Sequence, residues 1–244
     1  MPRNNPRLLH TASGTVFVLG LIAVISGCNL RSNSLNENGV RAFQNGNVSM
    51  AINEFQKAMI ENPASADAYY NLGASYFALG RQNQNEQWLE QAEQLYRNAI
   101  QLDDQHIDAH RGLAALLVET EREEFAFDLL QTWQARHPES TAPLIELARL
   151  HQEYGDNRRA TDLLADALKL DGNDPRALKA MGHIREVQGE YQLALENYNR
   201  ALQIDPRLTD TADRISALQS RIAQNVPTAG SIDRYGMNPA NTAR

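Results

Sequence analysis

Residues 141–206 read TAPLIELARLHQEYGDNRRATDLLADALKLDGNDPRALKAMGHIREVQGEYQLALENYNRALQIDP. Small residues recur here at a step of 34: Ala148 and Gly182, Ala160 and Ala194, Ala167 and Ala201. Leu164 and Tyr198 keep the step, and Gly172 and Pro206 close the two units. The residues between these marks are mostly Ala, Leu, Gln, Glu and Arg, which favour helix. Earlier in the chain the same marks recur in Ala51, Ala92 and Ala126, in Gly39, Gly73 and Ala114, and in Phe55, Tyr96 and Leu130. Ala58, Ala99 and Trp133 complete a fourth series, and Pro63, Asp104 and Pro138 a fifth. One step is 41 rather than 34, because seven residues, Arg81 to Gln87, are extra.

A 34-residue step with small, small, aromatic, small and proline marks resembles the tetratricopeptide repeat family over residues 32–208. The resemblance implies an all-α solenoid of antiparallel helix pairs wound as a right-handed superhelix. We read repeats at 32–65, 66–106, 107–140, 141–174 and 175–208, with a capping helix at 209–224. Residues 1–27 read as a signal, 28–34 as a tether, 35–224 as the array and 225–244 as a disordered tail. Within the tail, Ile232, Tyr235 and Met237 are a candidate short motif. No repeat buries its apolar face alone, so neighbours share stability. The small residue of the first helix is expected where the two helices touch, with Ala51 or Ala194 opposite it. The aromatic residue is expected to fill space toward the next unit, and the late proline to end the second helix. Ile215, Leu218 and Ile222 form the apolar stripe of the cap.

Three departures stand out. The seven extra residues of repeat two equal about two helical turns, so helical phase survives and a longer hairpin is expected. Trp88 within it is either a packing residue or a docking knob for a partner. Trp133 replaces an alanine and is expected to repack the joint with repeat four. Glu121 stands where the turn glycine of repeat three would be, so that turn is expected to differ. Asn47 begins an Asn-Val-Ser triplet and is read as a helix cap.

The leader carries Arg3 and Arg7, then the apolar run Val16–Ile25, then Ser26-Gly27-Cys28. Charged start, apolar middle and small residues before a cut are the parts of a secretory signal. The apolar run is about half the ~20 residues of a spanning helix. The pattern resembles the bacterial lipoprotein signal, which implies lipidation at Cys28, the chain's single cysteine. Asn29 in place of Asp then points to the outer membrane, facing the periplasm. Two acyl chains hold a membrane where one holds it marginally. Without residues 1–27 the chain keeps 21 Lys and Arg against 30 Asp and Glu, which argues against nucleic acid.

No enzyme motif is present: no phosphate loop, His-Glu-x-x-His, Gly-x-Ser-x-Gly or cysteine pair. His110, His137, His151 and His183 are scattered, without the convergence that a metal requires. No cofactor, metal or small-molecule substrate is expected. Resemblance to tetratricopeptide arrays places a partner groove along the first helices. Carried over, its positions are Val40, Phe43, Tyr70, Asn71, Ala74 and Phe77, then Arg111, Ala115, Arg149, Arg176, Lys179 and His183. The first half is apolar and aromatic and the second basic, which fits a peptide or helix with apolar residues at one end and carboxylates at the other. Alternatively the arginines pair with Asp108, Glu146 and Glu186. The carboxylate clamp of chaperone-binding family members is not matched: Asn71 fits, whereas Asn36, Val40, Asp108 and Gly112 do not. The expected function is a membrane-anchored scaffold or adaptor in cell-envelope assembly, by analogy with pilotin-type or wall-enzyme-scaffolding lipoproteins. The alternative is an accessory or regulatory subunit of an envelope enzyme or export complex.

Overall fold

The computed structural model describes residues 30–225; Cys28, the leader and the tail motif lie outside them. The described residues are helical, with no strand among them. Helix α1 covers 30–44 and is followed by α2 (Val48–Glu61), α3 (Ala66–Asn83), α4 (Glu86–Leu102), α5 (Ile107–Glu119) and α6 (Glu123–Arg136). A second compact unit begins at His137 and holds α7 (Thr141–Glu153), α8 (Asn157–Leu170), α9 (Pro175–Val187), α10 (Tyr191–Ile204) and α11 (Thr209–Asn225). No described helix is long and apolar enough to cross a membrane.

Within each unit the helices pair as hairpins. Ser32 Oγ donates to the Ala58 carbonyl at 2.9 Å, tying the start of α1 to the end of α2. Most starts are capped in the way the sequence allows. Asn47, Ser65, Asn85, His106, Ser140, Asp156 and Asp174 each accept from a backbone N–H of the first turn. Such a cap satisfies a donor that the helix itself leaves open.

The packing at the helix crossing corrects one expectation. A Cβ on Gly39 would lie 2.4 Å from Phe55, and one on Gly182 would lie 2.7 Å from Tyr198. The aromatic ring of the second helix, rather than Ala51 or Ala194, therefore covers the glycine. Gly73 likewise faces Tyr96, whose ring also closes on Gly112 at the start of the next pair. Glycine accompanies an aromatic in repeats one, two and five. Repeats three and four carry Ala114 with Leu130 and Ala148 with Leu164 instead.

The extra residues of repeat two are divided between two helices. Eighteen positions separate Ala66 from Gln84, against fourteen from Ile107 to Glu121, Thr141 to Gly155 and Pro175 to Gly189. The other three extra residues lengthen α4 before Ala92. Each helix gains about one turn, so both apolar faces stay in phase and the hairpin grows longer. Gly80 lets the added turns meet: a Cβ there would lie 2.6 Å from Leu89.

The turn of repeat three takes the ordinary conformation with an unusual residue. Gly46, Gly155 and Gly189 have φ of 77°, 78° and 82°. Glu121 adopts φ 57° at the same place, and Gln84 φ 52°. A side chain in this left-handed region costs roughly 1–2 kcal/mol. At the far end, α11 lays Ile215 and Leu218 against Ala194 and Tyr198, with Ile222 partly buried beside them.

Candidate functional site

The first helices carry the predicted groove residues, and polar links join successive first helices within each unit. In the first unit Asn71 donates to Asn36 Oδ1 at 3.0 Å, joining α3 to α1. His106 Nε2 lies 3.1 Å from Asp67 Oδ1, joining α5 to α3, while its Nδ1 accepts from the Ala109 N–H. In the second unit Thr141 donates to Asp174, the cap of α9. Gln152 and His183 Nδ1 are 2.9 Å apart, and Lys179 pairs with Asp210 of α11. His106 and Asp67 were not among the predicted residues. The signal was legible: 65, 106, 140 and 174 follow the repeat step and each precedes a first helix.

Val40 and Phe43 are partly buried against the cluster of Ala42, Ala51, Phe55 and Leu72. On α3, Tyr70 and Phe77 lie seven residues apart, about 10.5 Å along one face. The Tyr70 ring lies tilted against Tyr96 and His106, with ring centroids 5.9 Å and 5.2 Å apart. Phe77 meets the Tyr96 ring edge-on at 6.5 Å, and Arg81 sits 5.7 Å over Phe77. Burial, then the nearby Asp108 carboxylate, pushes the Tyr70 hydroxyl above its ordinary pKa. That hydroxyl makes no hydrogen bond among the described residues and stays a neutral donor at physiological pH. Ala74, between the rings, and Ala115 on α5 are partly exposed. The first unit thus gathers Tyr70, Ala74 and Phe77 into one aromatic face, set on Tyr96.

The basic positions are otherwise engaged. Arg111 pairs with Asp108 at 3.0 Å, and Arg149 with the buried Glu146 at 3.2 Å and also with Glu153. Arg176 pairs with Asp174 at 3.2 Å. Glu186 takes Arg214 at 3.3 Å and accepts from Tyr198 Oη at 2.8 Å. Burial works against the charge on Asp174, yet the Thr141 hydroxyl and Arg176 hold its carboxyl below the usual range. Burial, then the charge of Arg214, lowers the pKa of His183, so a neutral ring faces Gln152. These positions follow the paired alternative: each cation faces a carboxylate of this chain.

Trp88 is half-buried and its backbone N–H donates to the Asn85 cap at 3.1 Å. The Trp133 ring is stacked at 4.0 Å and 5° on His110 of α5, within its own repeat. Among the described residues no cluster of three or more His, Cys, Asp or Glu could hold a metal.

Comparison with known proteins agrees with this construction. Models described as TPR repeat and tetratricopeptide repeat match residues 39–80, 66–99 and 175–208. Superkiller complex protein 3 of Homo sapiens is 24% identical over 202 residues, covering 68% of this chain and 13% of that protein. The BBSome complex member BBS4 homolog of Drosophila melanogaster is 22% identical over 211 residues, covering 70% of this chain and 43% of its own length. The chain thus spans less than half the length of these relatives. The structure of TTC0263, a thermophilic TPR protein of Thermus thermophilus, superimposes with a TM-score of 0.59 at 20% identity, covering 78% of this chain and 99% of that one. The chain carries tetratricopeptide repeats at the matched residues and has the all-α tetratricopeptide fold.

Proposed function

We propose that this protein is a lipid-anchored adaptor of the bacterial cell envelope that recruits a protein partner on the first-helix face of its N-terminal unit. The observation that carries the reading is the aromatic face of α3. Tyr70 and Phe77 stand two turns apart on Tyr96, and among the described residues the Tyr70 hydroxyl is left without a hydrogen bond. Half-exposed aromatics with a free polar tip are the residue types that anchor partners. An extended segment or a helix placing two apolar side chains about 10 Å apart fits this face. The run from Arg3 to Cys28 supports anchoring, and Asn29 supports the outer membrane on its periplasmic side.

Two measurements test this. Wild-type chain is expected in the membrane pellet with label from a radioactive fatty acid, and Cys28→Ser in the soluble fraction without it. Tyr70→Ala with Phe77→Ala should lose the partner recovered from membranes by wild type. Retention of the same partner at the same yield would refute the site. Label on Cys28→Ser would refute the anchor.

A further inference from the structure

The second face of the first unit carries a feature that the aromatic site does not use. A depression of about 900 Å³ opens along α4, with Leu72, Tyr76 and Leu95 at its base. Gln87, Gln91, Gln94 and Asn98 line its side. Their spacings of four, three and four residues keep all four on one face of the helix. All four are exposed, and among the described residues none of their carboxamides makes a hydrogen bond. This row belongs to α4 alone. The positions matching Gln94 and Asn98 are Asp162 and Asp166 in α8, and Glu196 and Arg200 in α10. In α2 they are Asn53 and Lys57, and in α6 Asp128 and Thr132, so every other second helix carries at least one charge across this pair, whereas α4 carries two neutral amides.

We propose that this depression binds a short extended peptide segment through its main chain, a second docking surface independent of the aromatic face. A carboxamide offers both donors and an acceptor, as a peptide group does. Gln87 to Asn98 is eleven steps, about 16.5 Å of helix. That length matches about five residues of extended chain at ~3.3 Å each. The apolar base receives side chains that point inward at alternate positions. Charge selects the segment further. Glu93 is held by Arg97 at 2.7 Å and by Arg122 at 2.6 Å, and although burial opposes its charge, these partners keep its carboxyl below the usual range. Glu90, also in the lining, is exposed and makes no ion pair among the described residues. The bound segment is therefore neutral apart from one Lys or Arg set against Glu90. A glycan is the weaker fit. Tyr76 packs its ring on the core, and its hydroxyl accepts from Gln56 at 3.3 Å, leaving no open aromatic platform for a sugar.

The test uses the full chain labelled with nitrogen-15 and two end-blocked hexapeptide libraries drawn from Ala, Val, Leu, Ser and Thr. One library has a fixed Lys and the other a fixed Glu. The Lys library is expected to shift the side-chain amide resonances of Gln87, Gln91, Gln94 and Asn98, and the Glu library to leave them unmoved. Gln87→Ala with Gln91→Ala and Gln94→Ala should weaken binding at least about tenfold, the loss of one to three hydrogen bonds. Its melting temperature should stay within about two degrees, because these side chains are exposed. Glu90→Lys should reverse the preference between libraries. Tyr70→Ala with Phe77→Ala should bind the Lys library as wild type does, which separates this site from the aromatic one. Unmoved amide resonances with both libraries would overturn the proposal. Equal binding by the triple variant would do so too, as would shifts caused by an N-acetylglucosamine oligosaccharide and by neither library.

Discussion

Adding one methyl group at residue 182 should change sign with its neighbour. In the wild type, a Cβ on Gly182 would lie 2.7 Å and 2.8 Å from two ring atoms of Tyr198. The ring has no easy retreat: Tyr198 is fully buried and its hydroxyl is tied to Glu186 at 2.8 Å. Forcing an atom into such a contact costs about 1–3 kcal/mol. Against this, Ala is better than Gly in a helix interior by about 0.8–1.0 kcal/mol. Gly182→Ala is therefore predicted to destabilise by up to about 2 kcal/mol. In a Tyr198→Leu background the clash is gone and only the propensity remains. The same Gly182→Ala change should then stabilise by up to about 1 kcal/mol. Repeats three and four already hold that Ala and Leu combination. Urea unfolding of the four chains, with slopes shared, gives the coupling directly. An effect of the same sign in both backgrounds would refute the packing argument.

Other outcomes follow from the same geometry. Glu121→Gly should raise stability by about 1 kcal/mol in thermal unfolding, since the left-handed strain it removes outweighs the entropy that glycine adds to the unfolded chain; a lower melting temperature would show that the Glu121 side chain contributes more than its strain costs. Trp133→Ala should cost about 3–5 kcal/mol although alanine is the residue of the other four repeats, because the ring is 2% exposed and stacked on His110; a loss under about 1 kcal/mol would contradict this. His183 and His151 both have pKa values lowered chiefly by burial. The folded chain then binds fewer protons than the unfolded one, so stability should fall as pH drops below about 6.5. His183→Gln should flatten that fall in denaturant midpoints measured from pH 7.5 to 5.5, and an unchanged slope would remove His183 from the account.

The repeat was legible because its marks are steric. A glycine or alanine must sit where two helices touch, and that demand leaves a periodic trace. The choice between them was legible as well, since Gly39, Gly73 and Gly182 accompany Phe55, Tyr96 and Tyr198. Reading it requires pairing the two columns rather than following each alone. The pairing of cations was open in the sequence, with Asp108 and Glu146 as candidates. Arg111 and Arg149 pair with carboxylates three or four residues away in their own helices, whereas Lys179 reaches across helices to Asp210, thirty-one residues away. Trp133 has a partner that the repeat step does not reveal: His110, in the first helix of its own repeat, because a step of 34 relates equivalent residues rather than touching ones. The carboxamide row on α4 was visible as composition, but its depression depends on Leu72 and Tyr76 from α3.

The most direct test of an adaptor working through α3 is photo-cross-linking in living cells, with a photoreactive residue at Ala74, between the two rings. The account predicts one discrete protein adduct in the membrane fraction from Ala74, and none from the exposed Arg158 on α8. Equal cross-linking from both positions, or adducts from Arg158 alone, would contradict it.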